Sequence, residues 1–95
     1  MPYEIVVMPE AEEDLDRLRA TDRSAVKAAI QTHLRHEPER IGKSRIKRLR
    51  GLRRPQYRLR VANIRVFYDV TADTVEVLGI VEKSQAADWL ADAGE

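Results

Sequence analysis

Residues 57–70, YRLRVANIRVFYDV, alternate apolar and polar side chains with a period of two, which predicts two strands joined by a tight turn. A two-residue turn at Ala62-Asn63 sets Val61 opposite Ile64, Leu59 opposite Val66 and Tyr57 opposite Tyr68. The same register sets Arg60 opposite Arg65 and Arg58 opposite Phe67. One face of the hairpin is then apolar, and the other carries three arginines and one aromatic ring. Like charges directly opposite each other across a sheet repel, so the pattern implies an anion supplied from outside the chain.

The rest of the chain is read in the same way. Residues 3–8, YEIVVM, form a first strand. Pro9 suits the first position of a helix, and Glu10, Glu12, Glu13 and Asp14 place negative charge at its start, so helix one is expected to run to about Ala20. Thr21 is read as the cap of a second helix, with Ala25, Val26, Ala29, Ile30 and Leu34 at helical spacing before Pro38 ends the pattern. Leu15 and Leu18 give the first helix a matching stripe, so the two should form a hairpin over one face of a sheet.

Residues 37–44 read as a loop, and RIKRLRG as a short irregular strand ending at Gly51. Arg53, Arg54 and Pro55 lead into the arginine hairpin. Asp73-Thr74 should turn into a largely buried strand carrying Val75, Val77, Leu78, Ile80 and Val81. Ser84 is then expected to cap a last short helix closed by Gly94 in a left-handed conformation. Helices separated in sequence from strands argue for a single α+β domain over residues 1–95: an N-terminal strand and helix hairpin packed on a mainly antiparallel four- to five-stranded sheet, with a short C-terminal helix.

Composition changes this picture in one respect. The formal net charge is +1, yet residues 1–39 hold nine acids and five bases, residues 40–65 eleven bases and no acid, and residues 66–95 seven acids and one base. A basic block flanked by acidic segments is the footprint of a phosphate-rich or acidic partner. With no cysteine, disulfides and thiolate metal sites are excluded; with no apolar run near ~20 residues, the chain is expected to be soluble, cytoplasmic and without a membrane partner.

Other chemistries find little support. His33 and His36, three apart on a helix without Cys or Glu at ligand spacing, favour a surface reading over a metal site. There is no glycine-rich phosphate loop, Ser24 and Ser44 have no local activating partner, and the acids at 10–16 are most simply a helix start. Trp89, the single tryptophan, reads first as a core or interface anchor and second as a platform for a base. Arg58, Arg60 and Arg65 can hold phosphate through forked hydrogen bonds, with Arg48, Arg50, Arg53 and Arg54 widening the positive surface. Cations fixed around a phosphate also stabilise the charge that builds up when an RNA 2'-hydroxyl attacks it. A phosphate-facing Arg65 is expected to add little to folding.

The helix hairpin, then Leu49-Arg50-Gly51, Tyr57-Arg58-Leu59-Arg60, Arg65 and Tyr68-Asp69-Val70, then a hydrophobic strand and a short aromatic-bearing helix, resemble the RelE/ParE toxins of bacterial toxin-antitoxin pairs over nearly the whole chain. The RelE-like branch is favoured. It implies a metal-independent, cofactor-free, ribosome-dependent endoribonuclease that cuts messenger RNA and inhibits translation. On this sequence the resemblance assigns transition-state stabilisation to Arg58, Arg60 and Arg65; beside them Lys83 is expected to act as acid or base, Trp89 to stack on a base, and Arg48, Arg50, Arg53 and Arg54, from their charge, to contact RNA.

Lys83 and Trp89 stand where that branch often has a basic residue and, six positions on, a tyrosine. An indole cannot move a proton as a phenol does. The ParE-like branch implies instead a poison of DNA gyrase, and a third reading is a weakly active toxin-fold protein working mainly in an antitoxin complex. All three imply a small antitoxin that neutralises the arginine face, in a hetero-oligomeric complex that binds its operator through the antitoxin.

Overall fold

The computed structural model describes residues 2–42 and 45–95, so the end of the predicted 37–44 loop, with Ser44, lies outside the described residues. Five strands form one sheet: β1 (Glu4–Val7), β2 (Ile46–Arg48), β3 (Tyr57–Val61), β4 (Ile64–Val70) and β5 (Thr74–Glu82), in the order β1-β5-β4-β3-β2. β1 runs parallel to β5 and the other pairs are antiparallel, so the sheet is mixed. Helices α1 (Pro9–Arg17) and α2 (Ala20–Ala29) cover one face, and α3 (Ala86–Ala93) lies against the other.

The hairpin register is the one the alternation predicts: Tyr57 with Tyr68, Arg58 with Phe67, Leu59 with Val66, Arg60 with Arg65 and Val61 with Ile64. Ala62 takes a positive φ of 51° in the two-residue turn. Leu59, Val66, Tyr68, Val75, Val77 and Ile80 then meet Ala11, Leu15, Val26, Ile30 and Leu34 in the core. Tyr57 and Tyr68 stack at 5.5 Å, and the Tyr68 hydroxyl donates to the Pro38 carbonyl at 2.7 Å, tying the loop after α2 to the sheet. Burial pushes the Tyr68 phenol up, with Tyr57 and Glu39 adding to the effect.

The helix boundaries differ from expectation for local reasons. α1 stops at Arg17, because Leu18 and Arg19 are extended, with ψ of 152° and 154°. The guanidinium of Arg23 donates to the carbonyls of Leu15, Asp16 and Leu18, satisfying the acceptors that a longer helix would have used. α2 begins at Ala20, so Thr21 lies inside its first turn and makes no cap; its far end passes into a π-helical turn over Ile30–Leu34.

β2 ends at Arg48, short of Gly51, and the chain from 49 to 56 is loop. Ser84 sits within a 3-10 turn, Lys83–Gln85, that precedes α3, and Gly94 is extended at φ −70° instead of left-handed. Close approach explains the glycine: a Cβ there would stand 2.5 Å from the Leu90 carbonyl oxygen.

β5 is buried at Val75, Val77, Gly79 and Ile80, while Leu78 and Val81 are only partly covered. An irregularity in its pairing with β4 sets Phe67 against Gly79 and Tyr68 against Val77, leaving Leu78 as the extra residue of a bulge. Asp14 on α1 accepts the Ile80 amide at 3.0 Å beside that bulge, so one acid of the helix start joins helix to sheet.

Candidate nucleic-acid interface

Register alone defines the face of the sheet turned away from α1 and α2. β3 contributes Arg58 and Arg60, β4 contributes Arg65, Phe67 and Asp69, and β5 contributes Glu76, Gly79 and Val81. This face has three zones: cations at the β3–β4 turn, aromatic rings in the middle and carboxylates at the far end.

In the cationic zone Arg58, Arg60 and Arg65 influence one another electrostatically. Burial, then Arg65 and Arg60, pulls the Arg58 guanidinium below its ordinary pKa; burial, then Arg60, does the same to Arg65. Burial and like charge together disfavour the cations, and a bound anion would offset the like-charge repulsion. The arginine pattern found in the sequence is therefore a true cluster in space.

Arg65 is only 7% exposed, and its Nη1 donates to the carbonyls of Ala62 at 3.0 Å and Ile64 at 3.1 Å. It clamps the turn that follows Arg60, so beside the phosphate-facing role expected of it, its guanidinium takes the place of solvent at two carbonyls of the hairpin. Lys83 stands at the same end of the hairpin, where its backbone amide donates to the Asn63 carbonyl at 2.8 Å.

The remaining predicted residues separate. Arg48 lies opposite Tyr57 in the β2–β3 register, and its guanidinium carbon is 5.0 Å from that ring centroid, which places it on the helix-covered side of the sheet. Arg54 donates to Asp69 at 2.6 Å and approaches Glu76 at 3.7 Å, which raises its pKa through the Asp69 hydrogen bond above all. Arg53 lies 3.8 Å from the Glu95 carboxylate, and Arg50 is exposed in the 49–56 loop. Arg48 and Arg54 thus do not stand with Arg58.

Sequence reasoning missed Lys47. It pairs with Arg58 across β2 and β3 and is exposed, so by register it extends the cationic zone sideways. The signal lay in carrying the hairpin's alternation one strand further. Trp89, from α3, lies parallel to Phe67 with centroids 4.7 Å apart, and a Cβ on Gly79 would fall inside its indole. Its stacking partner is the aromatic ring of the sheet itself.

Among the described residues no group of three or more His, Cys, Asp and Glu could hold a metal ion, and no helix is long and apolar enough to cross a membrane. The chemistry on offer is fixed positive charge with hydrogen-bond donors, suited to a phosphate or carboxylate ligand.

A family model described as ParE toxin of type II toxin-antitoxin system, parDE, matches residues 5–87. Comparison with curated proteins finds no match. Among solved structures, the fold is similar to that of the RelB-RelE antitoxin-toxin complex of Methanococcus jannaschii, with TM-score 0.67 and 20% identity over 88% of this chain and 96% of that one. The toxin-antitoxin complex RelBE2 of Mycobacterium tuberculosis matches with TM-score 0.65 and 26% identity, over 86% of this chain and 99% of that one. A free double mutant of Escherichia coli RelE matches with TM-score 0.60 and 19% identity, over 98% and 95%.

Proposed function

Because this chain belongs to the ParE toxin family of type II toxin-antitoxin systems, we propose that it is a toxin whose working surface is the Arg58, Arg60 and Arg65 cluster, and that it cuts messenger RNA on the ribosome. The observation that carries this reading is the meeting of three arginines on one sheet face, all beside the same turn. In the reaction, an RNA 2'-hydroxyl oxygen bonds to the neighbouring phosphorus and the bond to the leaving 5'-oxygen breaks, giving a cyclic phosphate and a free 5'-hydroxyl. Charge on the non-bridging oxygens rises in the transition state, where fixed guanidinium groups stabilise it most. Arginine does not exchange protons at neutral pH, so Lys83, whose backbone amide donates to the Asn63 carbonyl at the same end of the hairpin, is assigned delivery of a proton to the leaving 5'-oxygen, while the 2'-hydroxyl proton passes to solvent.

Trp89 favours a second reading. The resemblance puts a tyrosine at that position, and the indole here lies on Phe67 with no proton to take up. A family member that poisons DNA gyrase needs no hydrolytic site, and its cationic zone and α3 would be protein-docking surfaces. In both readings the partner that restrains the toxin is a small antitoxin with an acidic or amphipathic segment. The complexes from M. jannaschii and M. tuberculosis support this through their similarity of fold, the latter at 26% identity.

Primer extension on messenger RNA after brief expression without antitoxin, beside an Arg58→Ala, Arg60→Ala variant, separates the two readings. Breaks within translated codons that disappear in the variant establish cleavage. Growth arrest with intact messages and trapped gyrase-DNA complexes establishes the gyrase reading and overturns the first.

A further inference from the structure

A second basic site lies on the other side of the β2 edge. The π-helical turn at the end of α2 and the residues after it present Thr32, His33, His36 and Arg40, and Arg45, immediately before β2, lines the same groove. Glu37, the acid on this groove among the described residues, is 3.3 Å from Arg40. His33 is held below its ordinary 6.5, first by burial and then by Arg45, so the two residues feel each other across the gap. The groove connects to the cationic zone through the backbone, since the Arg60 amide donates to the Arg45 carbonyl at 2.7 Å. The cluster and the groove are thus joined by adjacent backbone at the β2 edge.

We infer that this groove binds a second phosphate of the same single-stranded RNA, which crosses the β2 edge from the arginine cluster to His33, His36 and Arg45. The inference rests on the RNA reading of the cluster. Repeated anions along one polymer match two cationic positions that adjoin but face different sides of an edge strand, and imidazole rings offer stacking surfaces to exposed bases. An entering phosphate makes the protonated form of His33 favourable, so binding takes up a proton there. Among the described residues, Arg40, Arg45, His36 and Glu37 are the other charged or titratable groups that line the groove.

The test uses full-length protein and 2'-O-methyl RNA, which cannot be cleaved, as a trimer and as a decamer, with binding followed by anisotropy. His33→Gln, His36→Gln is compared with wild type, and Arg45→Gln, His36→Gln serves as a second variant because it leaves the partly buried His33 in place. Decamer affinity is expected to fall about 3- to 10-fold in both variants, and its log-log salt slope to flatten by about 0.7 for each phosphate no longer engaged. Trimer affinity should stay unchanged. Decamer binding by wild type should tighten between pH 7.5 and pH 5.5, with that gain absent from His33→Gln, His36→Gln.

Equal decamer affinity in variants and wild type overturns the inference, and so does an equal loss for trimer and decamer. Competition by poly-glutamate that the variants abolish assigns the groove to an acidic peptide instead. Failure of wild type to bind either RNA is a different result: it sinks the RNA reading of the arginine cluster itself.

Discussion

Trp89 lies flat on Phe67, with ring centroids 4.7 Å apart and planes 4° from parallel, and it fills the space that any side chain at position 79 would need. This pair joins α3 to the open face of the sheet. Trp89→Ala removes the stack and uncovers Phe67, and because the indole is only partly buried the loss should be about 2 kcal/mol, seen as a fall of roughly 10 °C in Tm. Gly79→Ala should weaken the protein by a different route, with a methyl group displacing the intact indole. The two changes should be far from additive, since each destroys the same packing. Additive losses in thermal melts would show that α3 is held elsewhere.

The hairpin was legible in the sequence because strict alternation fixes register: a slip by one residue would move Tyr57, Leu59 and Val66 into solvent and the arginines into the core. The faces of Arg48 and Lys47 were not legible, because β2 has only three residues and its neighbours Leu49 and Arg50 break the alternation. Arg54 was out of reach for another reason. Its partner Asp69 is fifteen residues away, and only the fold brings the two together. The position of Trp89 depended on a bulge in β5 and on a glycine 10 residues earlier, features that periodicity does not encode.

Arg65 combines a structural role with its place in the cluster. Arg65→Ala leaves the Ala62 and Ile64 carbonyls without their donor, and the expected loss is about 1–2 kcal/mol. Arg58→Ala and Arg60→Ala should change urea midpoints less while weakening binding of non-cleavable RNA more. A midpoint for Arg65→Ala equal to that of wild type would show that the turn does not need its clamp.

Asp69 is 6% exposed and accepts from Arg54 Nε at 2.6 Å and from the Gln56 amide at 2.7 Å. Asp69→Asn keeps the shape but ends the charge-assisted pairing; with Arg54 partly exposed, the expected cost is about 2 kcal/mol. Glu95→Gln, which alters the exposed 3.8 Å pair with Arg53, should change stability by less than about 0.5 kcal/mol. Calorimetry of the two variants side by side checks the contrast.

His33 makes the free protein sensitive to mild acid. Its pKa in the fold lies below the ordinary 6.5, because of burial first and Arg45 second, so below pH 6.5 the unfolded chain binds more protons than the folded one. The stability it confers is present above pH 6.5 and is lost as pH falls through the folded-state value. His33→Gln should therefore lose less Tm than wild type between pH 7.5 and pH 5.5. Equal losses in the two proteins would place the acid sensitivity on other groups.

Lys47 and Arg48 are adjacent in sequence and on opposite faces in space, which gives the sharpest test of where RNA binds. Lys47 is opposite Arg58 on the cationic side, and Arg48 is 5.0 Å from the Tyr57 ring on the other. Lys47→Ala should weaken binding of non-cleavable RNA and flatten its log-log salt slope by about 0.7, the share of one phosphate, with the melting curve unchanged. Arg48→Ala should leave the salt slope alone and lower stability by about 0.5–1 kcal/mol by removing the cation–π interaction. Fold class and net charge are the same in both variants, so the difference between them isolates the face. If Arg48→Ala carries the loss of binding and Lys47→Ala carries none, RNA is held on the helix side of β2 alone, and the arginine cluster serves the antitoxin.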